Sequence, residues 1–256
     1  MPNDAQRSRR WTNAASPRYW WHRLPGMDFV PPVYAWLADD EWSLIADWYS
    51  ETDRAGQIGE AAVPLMSLLH GLVMGNRAAR IVQLGTHAGY SALLLGFMLR
   101  RMHAPHGLFT LDIDGEFCAI ARAWNERARL ADFVEVAEGN SLDPNSPQRA
   151  RTYLSGDAEL VILDSSHEYS ATLQEFDLWY DALAPGGLLV VHDVSRFAQT
   201  FDVTNSGGVR RAFDKWRAAH PSAETFLLNG EARSMELPRP LYKDACGVGL
   251  IHKPGV

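Results

Sequence analysis

From residue 80 onward the chain alternates short, almost wholly apolar runs with longer segments of helical periodicity, and that alternation restricts the fold more than any other feature. The apolar runs are RIVQLG, GLFTLDI, FVEVAEG, AELVILD and LLVVHDV. Between them lie SALLLGFMLRRM, EFCAIARAWNERARL, a helical segment near RARTYL, and SATLQEFDLWYDAL followed by the turn APGG. Strands that are apolar at successive positions bury both faces, as in a parallel sheet covered by helices on each side. Right-handed crossovers make such a sheet doubly wound. After Val194 come SGG at 206–208, a helix over 209–219, a strand ETFLLN and a final strand GVGLIHK. Residues 230–246 join the last two strands without a clear helix, which predicts an antiparallel pair at one edge and a connecting loop free to cover a site. The expected fold class is α/β: a doubly wound, mostly parallel seven-stranded sheet with an antiparallel last strand and a helical N-terminal extension.

The first fifty residues differ in composition from the rest. Of nine tryptophans, Trp11, Trp20, Trp21, Trp36, Trp42 and Trp48 lie there, and WLADDEWSLIADWYS reads as a helix. The expected division is a Trp-rich extension over 1–55 and a main domain over 56–256. The extension is either a helix packed on a core, or an aromatic lid or homodimer contact, since aromatics are enriched at such surfaces.

Charge and cysteine usage exclude several classes of function. A net charge of −7, with RSRR at 7–10 as the sole basic cluster, leaves no electrostatic footprint for nucleic acid. Cys118 and Cys246 stand alone, without CxxC spacing, so neither a disulfide framework nor a zinc site is expected, and a reducing, cytoplasmic compartment follows. No stretch approaches the roughly 20 apolar residues that cross a bilayer, and the first thirty residues lack a signal-peptide core.

In an open parallel sheet, ligands bind beyond the carboxyl ends of the strands, near the point where strand order reverses. Every predicted strand here ends in polar residues. The first ends in LGTHAGYS, where Gly85 and Gly89 allow a sharp turn and Ser91 opens the next helix. The second ends at Asp112, with Ile113 and Asp114 after it; the third in Glu138, Gly139, Asn140 and Ser141; the fourth at Asp164; the fifth in His192 and Asp193. A carboxylate at the end of the second strand is where a nucleotide ribose is held. The glycines of LGTHAG are four apart and do not form the G-x-G-x-x-G loop of nicotinamide enzymes.

Over roughly 59–253 these residues resemble the class I S-adenosylmethionine-dependent methyltransferases. VQLGTHAGYSALLL is similar to the family's first motif in its catechol- and caffeoyl-CoA-type form, where GYS ends the loop. LDSSHEYS, with PGG before the fifth strand, is similar to the cephalosporin-hydroxylase-like and macrolide-sugar methyltransferases. The chain departs from the pattern at Gln83, where related enzymes carry an acid. The resemblance implies a Rossmann-like methyltransferase fold with Gly85, Thr86, Gly89, Tyr90 and Ser91 around the methionine portion of S-adenosylmethionine. It further implies Asp112 on the ribose hydroxyls, with Ile113, Asn140 and Ser141 along the nucleoside and Asp164 also contributing to the cofactor site.

The same resemblance places a divalent metal on Asp164, His192 and Asp193. Oxygen ligands suit Mg2+, while the histidine, which stands where the pattern has an acid, tilts the site towards a transition ion. His167, three residues after Asp164, occupies the position of the family's basic residue and is the expected general base, its ordinary pKa near 6.5 suiting it to that task. A bland alternative is a helix cap or a surface pair with Glu168. His70, in PLMSLLHGLV, reads as a core or interface residue, and His87 either touches the cofactor or fills the glycine loop. The implied activity is methyl transfer to a hydroxyl of a small molecule such as a secondary metabolite, sugar or phenol, as in antibiotic biosynthesis. N-methylation, and a non-catalytic cofactor-binding scaffold whose Trp-rich extension contacts a partner, remain the competing readings.

Overall fold

The computed structural model describes residues 31–235 and 241–255. Trp11, Trp20, Trp21 and the basic cluster at 7–10 lie outside them. The chain divides into two compact units between Ile58 and Gly59. In the first, α1 (Pro32–Ala35) precedes α2 (Asp39–Ala55). The predicted single helix therefore starts later, at Asp39. The Glu41 carboxylate accepts the Ala38 N–H at 2.8 Å, and three acids occupy the first turn, where the helix dipole favours negative charge. Gly56, in the left-handed region at φ 69°, ends the helix. The Tyr34 and Tyr49 hydroxyls are hydrogen-bonded at 2.9 Å, and Trp42 meets the Tyr34 ring edge-on.

The second unit opens with α3 (Val63–Asn76), which carries His70, and continues as β1 (Ile81–Leu84), α4 (Tyr90–Met102), β2 (Leu108–Asp112), α5 (Gly115–Arg127) and β3 (Val134–Glu138). Then follow α6 (Ser146–Leu154), β4 (Ala158–Leu163), α7 (Tyr169–Asp181), β5 (Leu183–His192), α8 (Gly208–Ala219), β6 (Glu224–Leu228) and β7 (Val248–His252). The seven strands lie in the order β3-β2-β1-β4-β5-β7-β6. β1 pairs in parallel with both β2 and β4, and β7 runs antiparallel between β5 and β6.

Side-chain alternation gives the sheet two apolar faces. Val82, Leu84, Phe109, Leu111, Val161, Leu163, Leu189 and Val191 pack against Ala150 and Leu154 of α6, Phe176 and Trp179 of α7, and Phe213 and Trp216 of α8. The residues between them, Ile81, Leu108, Thr110, Leu160, Ile162 and Val190, are also buried, and α4 and α5 contact that side through β2 and β3. One expectation changes: APGG is not a turn before β5 but part of it. Gly186 takes φ 78°, and the ladder with β4 shifts register between Ala158 and Leu160. Lys253 donates its N–H to Gly187 and accepts from Gly186, so the kinked residues keep sheet partners. No helix among the described residues is long and apolar enough to cross a membrane.

Strand register positions the site. Leu84 pairs with Leu111 on one side and Leu163 on the other; Leu111 pairs with Ala137, and Leu163 with Val191. The next residues, Gly85, Asp112, Glu138, Asp164 and His192, therefore form one row along the carboxyl rim. Strand order reverses between β1 and β4, so Gly85 and Asp164 flank the switch point.

Candidate active site

Gly85 sits at φ 88°, and a Cβ there would lie 1.9 Å from the Asp164 carbonyl oxygen. Glycine is thus required both by the backbone conformation and by the closeness of β1 to β4. From Gly85 the loop turns through His87, itself at φ 46°, to Gly89 at φ 88°, which caps α4. Asp112 holds this loop. Its Oδ2 accepts the Thr86 and His87 N–H groups at 2.8 Å each, and its Oδ1 accepts the Asp114 N–H at 3.0 Å. Asp112 was expected at the ribose; its first structural task is to brace the glycine loop, and Oδ1, with one donor, keeps acceptor capacity. Gln83 braces the loop from below, its Nε2 donating to the Gly85 carbonyl at 2.6 Å and to Ser91 Oγ at 2.7 Å. The His87 ring lies against Phe117, with ring centroids 4.2 Å apart.

Along the rim beyond β2 and β3, Ile113 is 73% exposed, an unusual state for a large apolar side chain unless something covers it. Tyr90 is buried beneath the loop. Asn140 is exposed, and its Oδ1 accepts the Leu142 N–H. Ser141 Oγ donates to Glu175 Oε1, to which Ser165 Oγ also donates. Glu175, on α7, thereby links the ends of β3 and β4. The sequence patterns did not single it out, because an acid within a helical period reads as solvated.

At the other end of the row stand Asp164, His167, His192 and Asp193. Asp193 is at φ 60°, a conformation that costs an L residue free energy and recurs at functional sites. Its Oδ2 lies 3.0 Å from His167 Nε2. That hydrogen bond raises the His167 pKa above its ordinary 6.5, burial pulls the other way, and the charges of Asp193 and Asp164 add to the rise. With Nε2 engaged, Nδ1 is the nitrogen left to exchange a proton. The His167 side chain is 42% exposed, and Phe201, which meets it edge-on at 5.5 Å, is also partly exposed.

His192 is nearly enclosed, and both its ring nitrogens face carboxylates: Nδ1 is 3.0 Å from Asp164 Oδ1, and Nε2 is 3.0 Å from Asp244 Oδ2. Burial disfavours its charged form, yet the charges of Asp193 and Asp164, with the hydrogen bonds to Asp164 and Asp244, hold its pKa well above 6.5. Burial likewise pushes the Asp193 carboxyl up, but His192 and His167 more than offset this and keep it below 3.8. The negative field that favours a proton on His192 also favours a dication. Asp164, His192 and Asp193 offer ligand atoms within 4.8 Å of one another, as do His192, Asp244 and Cys246. Asp244 and Cys246 were missed in the sequence. Their signal was topological: β7 runs antiparallel and pairs Val248 with His192, so residues entering β7 sit at this rim.

A mostly parallel sheet with this order, a braced glycine loop at its switch point and an acid-histidine cluster beside it define a doubly wound fold of the nucleotide-binding class. The sequence family described as a methyltransferase domain matches residues 82–194. A catechol O-methyltransferase of Niastella koreensis is 27% identical over 183 residues, 67% of this chain and 79% of that protein. A rhamnosyl O-methyltransferase of Mycobacterium bovis is 30% identical over 116 residues, 44% of each chain, so the match spans less than half of that relative. Among solved structures, an O-methyltransferase from Bacillus cereus in complex with S-adenosylhomocysteine superposes with a TM-score of 0.65 at 22% identity, covering 86% of this chain and 93% of that one. The chain is thus similar to the class I S-adenosylmethionine-dependent methyltransferases, and the relatives it matches are O-methyltransferases of catechol and rhamnosyl type.

Proposed function

We propose that the protein transfers the methyl group of S-adenosylmethionine to a hydroxyl of a small molecule, a phenol or a sugar of secondary metabolism, with His167 as general base. The cofactor brings the electrophile, so the chain must orient the acceptor and take its proton. The hydroxyl proton passes to His167 Nδ1 as its oxygen bonds to the methyl carbon; the carbon–sulfur bond breaks and S-adenosylhomocysteine leaves. Asp193 orients the imidazole and stabilises the imidazolium that forms. Around the cofactor, Gly85, Thr86, Gly89, Tyr90 and Ser91 would take the methionine portion, and Asp112, Ile113, Asn140 and Ser141 the nucleoside.

The observation that carries this reading is the His167–Asp193 pair beside Asp164, beneath the partly exposed Phe201. Phe197, 5.4 Å from Phe201, extends an aromatic wall suited to the face of a phenol or a sugar ring. Catechol and rhamnosyl relatives support the two acceptor types. Asp164, His192 and Asp193 fit a divalent metal by their donor set, two carboxylates and an imidazole converging on one point. Such an ion, when bound, lowers the pKa of a coordinated hydroxyl. The extension over 1–55 is proposed as a lid or homodimer contact, which light scattering of the full chain checks.

The deciding experiment incubates the protein with S-adenosylmethionine labelled in its methyl group and a panel of catechols and rhamnosides, with and without EDTA. Transfer to a hydroxyl is expected. Tight cofactor binding with no transfer to any acceptor would favour the scaffold reading, and transfer to amines alone would favour N-methylation.

A further inference from the structure

Asp244 does not appear in any family motif read from the sequence, yet it is among the most enclosed of the described acids, at 5% exposure. Both its oxygens are occupied by protein donors. Oδ1 accepts the Cys246 N–H at 3.0 Å, and Oδ2 faces His192 Nε2 at 3.0 Å and the Tyr242 hydroxyl at 3.3 Å. Its backbone is fastened too, the Asp244 carbonyl accepting from Asn229 Nδ2 at 2.9 Å. A carboxylate so fully engaged is a poor ligand and a good orienter.

On the far side of the imidazole, Nδ1 points at the opposite pair, 3.0 Å from Asp164 Oδ1 and 3.6 Å from Asp193 Oδ2. Asp164 is the more open of the two, its side chain 20% exposed against 7% for Asp193, so this side of His192 is the one a solute reaches. A carboxylate on one ring nitrogen that fixes the tautomer and aims the other nitrogen is the usual outer support of a metal-bound histidine.

We infer that Asp244 is a positioning residue that presents His192 Nδ1 together with Asp164 and Asp193 as a mixed nitrogen and carboxylate chelate, selecting a transition dication such as Mn2+, Fe2+ or Co2+ over Mg2+. The selectivity follows from ligand chemistry: imidazole suits borderline transition ions, whereas Mg2+ takes oxygen and keeps much of its water. This inference rests on the methyltransferase reading for the place of the site, and deepens it by naming the ion class and the residue that enforces it.

The test titrates the full-length protein, saturated with S-adenosylhomocysteine, with Co2+ and separately with Mg2+. Calorimetry gives the affinities, and visible absorption of bound Co2+ reports the ligand set. Tighter binding of Co2+ than of Mg2+ is expected. Asp244→Ala should weaken Co2+ by about 10- to 100-fold. Asp244→Asn, which keeps an acceptor for Nε2–H, should recover part of that loss. His192→Asp should abolish the preference for Co2+ and change the Co2+ spectrum, and it carries the test should Asp244→Ala fail to fold. Equal affinity for both ions, an Asp244→Ala affinity equal to wild type, or no dication binding while S-adenosylhomocysteine binds normally would overturn the inference and leave the methyltransferase reading intact. Failure of the wild-type protein to bind S-adenosylhomocysteine would overturn both.

Discussion

His167 and Asp193 follow adjacent strands, β4 and β5, and each owes its role to the other. The hydrogen bond from Asp193 favours the imidazolium, so the base form of His167 is populated only above a pKa already raised from 6.5. The rate of transfer under limiting acceptor should therefore rise with pH along a limb centred above 6.5, and Asp193→Asn should move that limb towards acid; a limb at or below 6.5 in wild type would remove His167 from the mechanism. His167→Ala should lower kcat by about 10²- to 10⁴-fold with little change in S-adenosylhomocysteine affinity, read by single-turnover assay and calorimetry. Gly85→Ala poses a steric question instead. Its Cβ would meet the Asp164 carbonyl at 1.9 Å, at a φ that L residues avoid. A loss of at least about 1 kcal/mol in urea denaturation and weaker cofactor binding are expected. The glycine turn at Gly85 and the polar break after β4 that carries His167 were legible in sequence because both are local patterns. The left-handed Asp193 was not, since its conformation is imposed by partners far away in the chain.

At the scale of elements, the site is a row of strand ends plus two loops. The loop after β5 runs from Ser195 to α8 and carries Phe197 and Phe201 over His167. Asp202 ties it. One oxygen accepts the N–H and hydroxyl of Thr204, at 2.9 and 2.6 Å, and the other accepts the Ser206 and Gly208 N–H groups at 3.0 and 2.8 Å. Asp202→Ala would strand these donors and should cost about 1–3 kcal/mol of stability in chemical denaturation. It should also raise KM for the acceptor more than it lowers kcat, because the aromatic wall loses its anchor while the His167–Asp193 pair remains. An unchanged KM would count against the wall. The strands themselves were legible because burial on both faces writes uninterrupted apolar runs. The kink in β5 was misread as a turn, since APGG carries turn chemistry and its sheet partners come from β4 and from Lys253 at the end of the chain.

At the scale of the whole molecule, Glu175 joins three elements and leaves a mark on stability. Burial raises its pKa above 4.5, Ser141 and Ser165 only partly opposing this, and its Oε2 has no hydrogen-bond partner among the described residues. A group whose folded pKa is raised stabilises the fold fully below its unfolded pKa and loses that contribution as pH rises through the folded value. Wild-type stability should therefore decline as pH rises above 4.5 by an amount that Glu175→Gln removes, Gln keeping the acceptor for both serines. Urea denaturation across pH compares the two proteins, and parallel profiles would refute the assignment. The sequence by itself determined the doubly wound sheet, the glycine loop, and the acids and histidines at the strand ends. Each is written within a few neighbouring residues, as apolar burial or as a polar break after it. Only the tertiary structure decided that Asp112 braces the loop, that Glu175 bridges β3 and β4, and that Asp244 clamps His192 against Asp164. Those contacts arise from strand register and from the antiparallel insertion of β7, which bring together side chains whose separation along the chain leaves no local pattern.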